Sequence, residues 1–295
     1  IPQSLHTQGH TMQFIFSTGS LYSYGIDRCF EFAERAGFDG VELLIDHRWD
    51  TRHADYVKRL AKQYKQPVRA VHSPFIGNLR GWATDLVGGI EKSVQVAEEL
   101  AAGVVILHLP ENTSYTVAQL GGRRQLLPLP WVRRHEQYIR WVQEGMPRLQ
   151  EKTDVFLAIE NMPAKKRFGR RVNVIRWNAH NRASLMDITR FPHITMDTTH
   201  LGTWGLDPAE VFFRWRERVK HVHLSNFDGK EHRRPEDGHL HLDRLLARMA
   251  QWGYQHTVSL ELHPDALSAG SDDDRIVSLL KTSLDHCRKW AKAHV

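Results

Sequence analysis

Eight short apolar runs, rich in β-branched and aliphatic residues, recur along the chain at intervals long enough for a helix between them. These runs are QFIFST, VELLID, VRAVHS, VVILHL, VFLAIE, HITMD, VKHVHLS and TVSLEL. Most are apolar at nearly every position rather than at alternate positions, which is typical of parallel strands buried on both faces. The repeated alternation of strand and helix predicts βαβ units and a parallel sheet.

The number of runs favours a closed barrel. The chain has 295 residues, and a (β/α)8 barrel typically takes about 250. An open, doubly wound sheet is the competing architecture, but no GxGxxG or GxxxxGK[ST] motif follows the first run. We therefore predict an α/β fold, a single-domain (β/α)8 TIM barrel over residues 12–295. Residues 1–11 are polar and aperiodic, and we expect a flexible leader or tag remnant there.

Ionisable residues gather at the C-terminal ends of the predicted strands. Six such residues are His72, His108, Glu160, Asp197, His223 and Glu261. Strand C-termini converge on one mouth of a barrel, so we expect these side chains to face a common centre. A single one is more often a hydrogen-bond partner of a loop, but burying three carboxylates together is costly unless a cation or protons neutralise them. Carboxylates and imidazoles without thiolates suit Mn²⁺, Mg²⁺, Co²⁺, Fe²⁺ or Zn²⁺ without choosing among them.

Further histidines lie near these candidates. His200 comes three residues after Asp197, close enough to serve a second metal or a substrate hydroxyl, and His232 lies in the loop after the seventh strand. His221 and His263 alternate with or flank the candidates, so we expect them to point outward or to support a ligand from behind.

Composition and charge indicate which partners and which cellular compartment to expect. The net charge is +6, but basic residues are scattered apart from Lys165, Lys166, Arg167, Arg170 and Arg171, a cluster that suits either a phosphate or a solvated loop. Two cysteines without CxxC spacing argue against a disulfide framework or a zinc-thiolate site. The sequence has no run of 18 apolar residues and no signal pattern at its start, so we expect a cytoplasmic protein without a membrane partner.

Six segments carry a family resemblance: GFDGVELL, VHSP, AIEN, MDTTHLG, VHLSNFDGKEH and SLELHP. They resemble the xylose isomerase-like barrel superfamily, which includes sugar phosphate isomerases and epimerases as well as endonuclease IV. The resemblance spans nearly the whole chain from Met12. Its ordered set of Glu, Asp, His and Glu is specific for the superfamily and not for a reaction.

In the ketose epimerase branch, four such residues hold one metal, which implies that Glu160, Asp197, His223 and Glu261 are the ligands here. The resemblance also implies that Glu160 and Glu261 exchange protons on opposite faces of the substrate, while the metal stabilises a cis-enediolate. His200 matches a substrate-contacting histidine. Further candidates for substrate contact are His72, His108, Lys230 and Trp204. Flat aromatic rings suit the CH faces of sugars, although core packing explains Trp204 about as well.

In the endonuclease IV branch, nine residues hold three metals, and this chain matches eight of them. The matches are His72, His108, Glu160, Asp197, His200, His223, His232 and Glu261. Lys230 stands where that branch has an aspartate, and a cation cannot ligate a metal. This departure puts a full trinuclear site in doubt and leaves a mononuclear or dinuclear site open. The DNA-reading loops of that branch are also not recognisable.

The sequence thus leaves three hypotheses. The favoured one is a divalent-metal-dependent isomerase or epimerase acting on a small sugar, sugar phosphate or cyclitol through a cis-enediolate. The second is a metal-dependent phosphodiester hydrolase of the abasic-site endonuclease kind, with nucleic acid as its partner. The third is a barrel with other metal chemistry or a binding role, since a fold does not fix a function. The metal count discriminates the first two, and a homo-oligomer is compatible with all three.

Overall fold

The structure is a computed structural model that describes residues 12–75, 78–109, 114–120, 123–129, 136–167, 170–172 and 185–292. The expected leader, residues 1–11, lies outside the described residues, as do residues 173–184.

Twelve strands lie in the described part of the chain. In order they are β1 (Gln13–Ser17), β2 (Val41–Leu44), β3 (Val68–His72), β4 (Val104–Leu107), β5 (Ser114–Leu120), β6 (Arg123–Leu129), β7 (Phe156–Glu160), β8 (Lys165–Arg167), β9 (Arg170–Val172), β10 (Ile194–Asp197), β11 (Val219–Leu224) and β12 (Thr257–Leu260).

The described α-helices lie between and after these strands. In order they are α1 (Ile26–Ala36), α2 (Ala54–Gln63), α3 (Leu86–Glu99), α4 (Glu136–Arg140), α5 (Met146–Gln150), α6 (Thr198–Trp204), α7 (Pro208–Trp215), α8 (Leu242–Trp252) and α9 (Asp273–Lys292). A π-helical turn, Trp141–Gly145, joins α4 to α5. None of these described helices is long and apolar enough to cross a membrane.

Eight of the strands form a closed parallel barrel in the order β1-β12-β11-β10-β7-β4-β3-β2. The predicted (β/α)8 barrel is confirmed, and each of its strands coincides with one of the eight apolar runs. The other four strands form two antiparallel hairpins, β5-β6 after β4 and β8-β9 after β7. Each hairpin follows the C-terminal end of a barrel strand in the sequence, where the loops of the mouth begin.

Helix α1 shows how the outer layer is built. Its apolar residues recur at helical spacing, and Ile26, Phe30 and Ala33 are among those that it buries against the barrel. Gly37 ends the helix with φ at 88°, a left-handed conformation that glycine adopts without steric cost. The long helix α9 packs against both α1 and α8 and closes the ring of helices.

The lumen of the barrel has an apolar floor. Ile15, Ala70, Ile106 and Ala158, together with Val104, form a small cluster separate from the main core between barrel and helices. Three of them precede candidate ligands by two residues, so they share the inward face of their strands with those ligands. On the side of β3, β4 and β7 the polar mouth therefore lies above an apolar layer.

Candidate metal centre

The strand ends bring all six strand-end candidates to one mouth. His72, Glu160 and Asp197 are the last residues of β3, β7 and β10, and His223 lies next to the end of β11. His108 and Glu261 follow β4 and β12, by one residue each. Asp197 and His223 are neighbours in the parallel register of β10 and β11.

Four of these residues surround one point in space. Ligand atoms of Glu160, Asp197, His223 and Glu261 all lie within 4.8 Å of one another. From the Nδ1 atom of His223, the nearest carboxylate oxygen is 3.1 Å away on Glu261, 3.4 Å on Glu160 and 3.8 Å on Asp197. Glu160, Asp197 and His223 are buried, and the side chain of Glu261 is partly exposed.

The donor set fits a divalent cation because two of its atoms have no other partner. The Asp197 Oδ2 and His223 Nδ1 atoms are buried and accept or donate no hydrogen bond in the described structure. A buried polar atom without a partner is costly, and buried carboxylates this close together repel one another. A cation among these atoms would satisfy both of them and offset the repulsion. Oxygen and nitrogen donors suit Mn²⁺, Mg²⁺, Co²⁺, Fe²⁺ or Zn²⁺ alike.

The pKa values of the site without a metal reflect the negative charge of the carboxylates that lie close together there. Burial alone would raise the pKa of Glu160, but the nearby His108 and His223 hold that pKa well below its usual range. Burial raises the pKa of Asp197 to about 6, although His200 and His232 oppose the rise. Burial alone would lower the pKa of His200, but Asp197 and Glu160 raise it to about 10. Protonated histidines thus supply positive charge that a bound cation would otherwise supply.

A second group of donors adjoins the first and shares Glu160. The His108 Nε2 atom lies 2.8 Å from Glu160 Oε2, and the His72 Nε2 atom lies 3.5 Å from the same oxygen. His72 donates from Nδ1 to the Ser73 carbonyl at 2.8 Å, which turns its Nε2 atom towards the mouth. The two Nε2 atoms are 3.1 Å apart. These residues could hold a second ion beside the first.

A third group comprises Asp197, His200 and His232. His200 donates from Nδ1 to the Asn161 carbonyl at 2.8 Å, so its Nε2 atom is free to face the mouth. His232 has a left-handed backbone, with φ at 59°, in the loop after β11. Such a conformation costs free energy in a non-glycine residue and persists only where its surroundings hold it.

The remaining candidates lie at the edge of the mouth. Lys230 is exposed, and its backbone N–H donates to Asp228 Oδ1 at 3.0 Å. Its neighbour Glu231 lies closer to the site, with Oε2 at 3.8 Å from His200 Nε2. Trp204, the last residue of α6, is half-buried and donates its indole N–H to the Met162 carbonyl at 3.1 Å.

The basic cluster after β7 is only partly described. Lys165 is exposed, and Arg171 donates to the Trp204 carbonyl at 2.5 Å, which ties the β8-β9 hairpin to α6. The side chains of Lys166, Arg167 and Arg170 lie outside the described residues.

Two further residues lie below the mouth, and one of them, Glu42, was not expected there. Glu42 on β2 is fully buried, and its Oε2 atom lies 2.7 Å from His221 Nε2 and 3.0 Å from His223 Nε2. For His221 the structure agrees with the supporting role and not with an outward position, because the side chain is fully buried inside the barrel, two residues from His223 and on the same face of β11. Burial alone would raise the pKa of Glu42, but His223 and His221 hold it well below its usual range.

The sequence contains a pattern from which the inward position of each residue could be predicted. A spacing of two places His221 and His223 on one face of a strand, and Glu42 is a charge inside the otherwise apolar run VELLID. His263, in contrast, is exposed and points away from the lumen, where its Nδ1 atom accepts a hydrogen bond from the Asp265 N–H.

A closed parallel barrel with carboxylates and imidazoles at its mouth defines a broad class of proteins. Within that class, the model of the family described as xylose isomerase-like TIM barrel matches residues 30–289. The chain belongs to this family.

Comparison of sequences finds relatives in mycobacteria. A protein of Mycobacterium leprae is 29% identical over 239 residues, which cover 76% of this chain and 76% of that protein. A protein of Mycobacterium tuberculosis is 26% identical over 290 residues, which cover 92% of this chain and 95% of that protein. Both relatives are described as uncharacterized proteins.

Solved structures share the fold at low sequence identity. A D-psicose 3-epimerase from Clostridium cellulolyticum matches with a TM-score of 0.64 and 12% identity, covering 96% of this chain and 100% of that chain. A 3-keto-D-glucoside 4-epimerase from E. coli gives 0.61 and 16%, covering 95% and 100%. An AP endonuclease, family 2, from Brucella melitensis gives 0.60 and 16%, covering 86% and 94%. At these identities the likeness is one of fold.

Proposed function

We propose that this chain is a divalent-metal-dependent isomerase or epimerase that acts on a small sugar, sugar phosphate or cyclitol. The observation that carries the proposal is the pair of carboxylates, Glu160 and Glu261, which lie 3.4 Å and 3.1 Å from the partnerless Nδ1 atom of His223. Several proteins of the same fold bear the names of sugar epimerases, which agrees with this chemistry.

In this proposal Glu160, Asp197, His223 and Glu261 hold the metal. The bound cation would supply Lewis-acid stabilisation of the negative charge that develops on a substrate oxygen when a neighbouring C–H proton is removed. The low pKa of Glu160 keeps its carboxylate ionised near neutral pH, as a base requires.

The protein's own residues would then move protons and orient the substrate. One of the two glutamates removes the C–H proton, and the other returns a proton from the opposite face, which inverts or relocates the stereocentre. His108 donates to Glu160 Oε2 at 2.8 Å and so fixes which oxygen faces the substrate. His200 is placed to contact a substrate hydroxyl, and Lys230 and Trp204 are candidates at the rim. The apolar cluster in the lumen covers the lower side of the site next to β3, β4 and β7.

Deuterium exchange tests the proposal. Metal-loaded protein is incubated in D₂O with a panel of ketoses, ketose phosphates and cyclitol ketones, and C–H exchange is followed by NMR. We expect exchange in at least one substrate, with a fall of about 100-fold or more in Glu160→Gln and Glu261→Gln because each loses a proton-transfer group. Glu99→Gln, an exposed acid at the end of α3 that pairs with Lys58, should retain the activity. Folded, metal-loaded protein that exchanges no substrate in the panel would contradict the proposal.

One observation favours a second candidate function, a metal-dependent phosphodiester hydrolase. The group of His72, His108 and Glu160 has donor atoms for a second ion next to the first, and two adjacent ions suit phosphoryl chemistry. One bound ion per chain would favour the isomerase, and two or three would favour the hydrolase. Incision of a duplex with an abasic site tests the nucleic-acid version, and a metal-loaded protein that leaves the duplex intact would exclude it.

A further inference from the structure

A buried carboxylate lies below the candidate metal centre and has no part in the proposed reaction. Glu42 is 0% exposed on β2, yet its partners His221 and His223 are on β11. In the barrel order, β1 and β12 separate these two strands. The Glu42 side chain therefore crosses the lumen to reach the two imidazoles.

A chain of short hydrogen bonds holds this carboxylate from both sides. The Ser17 hydroxyl donates to Glu42 Oε1 at 2.9 Å, and Ser17 is the register neighbour of Glu42 on β1. On the other side, His221 Nδ1 lies 2.6 Å from the Thr257 hydroxyl, again between register neighbours. One assignment of hydrogens satisfies the Glu42 carboxylate and both nitrogens of His221, with Thr257 donating to His221 Nδ1 and both imidazoles donating from Nε2 to Glu42 Oε2.

This arrangement determines which nitrogen of His223 faces the metal centre. Because the Nε2–H of His223 is committed to Glu42, the lone pair of a neutral His223 is on Nδ1. Nδ1 is the buried atom that has no hydrogen-bond partner and lies 3.1 Å from Glu261 Oε2. A carboxylate hydrogen-bonded to the far nitrogen of a metal-bound imidazole fixes the ring and makes the ligand more basic.

We propose that Glu42 is a positioning residue for the metal ligand His223, and that His221 and Thr257 hold the Glu42 carboxylate in place. The inference rests on the metal centre of the proposed function but not on the reaction. Glu42, His221 and His223 also have donor atoms within 4.8 Å of one another, which could suggest a separate metal site. Their facing atoms already pair with one another, whereas the partnerless atoms of Asp197 and His223 lie on the other side of the His223 ring.

Cobalt binding to Glu42→Gln tests the inference, because Gln keeps the shape of the side chain and removes its charge. We expect a folded protein by circular dichroism, Co²⁺ affinity lowered about 10- to 100-fold in a chelator competition, and an altered visible spectrum of the bound Co²⁺. The matched control is Asp46→Asn. Asp46 is also a buried carboxylate, but it pairs with Arg48 at 2.8 Å and not with a candidate ligand. The control should keep the wild-type affinity and spectrum.

A second variant covers the case in which Glu42→Gln does not fold. Thr257→Val removes only the hydroxyl that fixes His221, and we expect Co²⁺ affinity to fall about threefold to tenfold, less than for Glu42→Gln. A folded Glu42→Gln with wild-type affinity and spectrum overturns the inference, as does an unchanged Thr257→Val if Glu42→Gln fails to fold. A wild-type protein that binds Co²⁺ but exchanges no C–H proton overturns the isomerase proposal alone.

Discussion

At the scale of single residues, positive charge at the mouth comes either from protons on the histidines or from a bound metal cation. Burial opposes the protonation of His200 and His223, but the surrounding carboxylates raise the pKa of both, that of His200 to about 10. The carboxylates thus favour the protonated form of both imidazoles in the metal-free protein. A metal ligand must be a neutral imidazole, so a cation and a proton compete for Nδ1 of His223.

This competition predicts that metal binding releases protons. Near pH 7, His223 loses its proton when it becomes a ligand, so the apparent metal affinity should rise as the pH increases through the neutral range. Isothermal titration of the protein with Mn²⁺ in two buffers of different ionisation enthalpy measures the protons released. We expect a clear difference in apparent enthalpy, and His200→Gln should lower the number released. The same apparent enthalpy in both buffers would contradict this account of the mouth.

At the scale of elements, the strands of the barrel could be predicted from the sequence, and the inserted hairpins could not. A buried parallel strand needs a continuous apolar run, and all eight runs became barrel strands. The segments that form β5, β6, β8 and β9 follow strand ends and were not among the eight predicted strands, because hairpins outside the core lack that run. The position of β2 was predicted, but not that its Glu42 reaches across the lumen, since a sequence does not show which strands face each other.

The same limit applies to the site. Convergence of six strand-end residues follows from the barrel alone, because the C-terminal ends of its strands share one mouth. Which donors form separate groups depends on side-chain directions, and for His221 the sequence alone leaves an outward position and a supporting role open. A spacing of two from His223 puts both side chains on the inner face of β11, which agrees with the supporting role.

The loop after β11 depends on Asn226 for its shape. The Asn226 side chain donates to the Pro235 carbonyl at 2.7 Å, and its Oδ1 atom accepts from the Leu240 N–H at 2.9 Å. Gly238 passes so close to this amide that an added Cβ would lie 2.4 Å from Asn226 Oδ1. The loop carries His232, so its fastening positions one of the candidate ligands.

We therefore expect Asn226→Ala to loosen the loop. The loss of buried hydrogen bonds should lower the free energy of unfolding by about 2 kcal/mol, measured by urea denaturation. Catalytic activity should fall as well, because His232 is no longer held. Thr282→Ala, which removes a side-chain hydrogen bond on the exposed surface of α9, serves as the control and should change stability by less than about 0.5 kcal/mol. An Asn226→Ala protein as stable as wild type would refute this role.

At the scale of the whole molecule, the barrel concentrates negative charge in a chain that is positive overall. The net charge is +6, yet Glu42, Glu160, Asp197 and Glu261 line the lumen and its mouth. The local negative charge of this site attracts a cation, whereas the positive net charge of the whole chain does not. Binding to the folded state alone stabilises it, by about 2.7 kcal/mol when the free metal is at 100 times its Kd. Metal loading should therefore raise the melting temperature.

The most direct test of the central claim is a count of metal ions per chain. Protein dialysed against Mn²⁺, Co²⁺ or Zn²⁺ and then against metal-free buffer is analysed by elemental mass spectrometry. We expect at least one ion per wild-type chain and its loss in Asp197→Asn. That variant should stay folded, because Asn keeps the acceptor that caps α6 at the His200 N–H. Two results would contradict the metal centre: a wild-type chain that retains no ion, or an Asp197→Asn chain that retains the wild-type number. The centre in question is the one formed by Glu160, Asp197, His223 and Glu261.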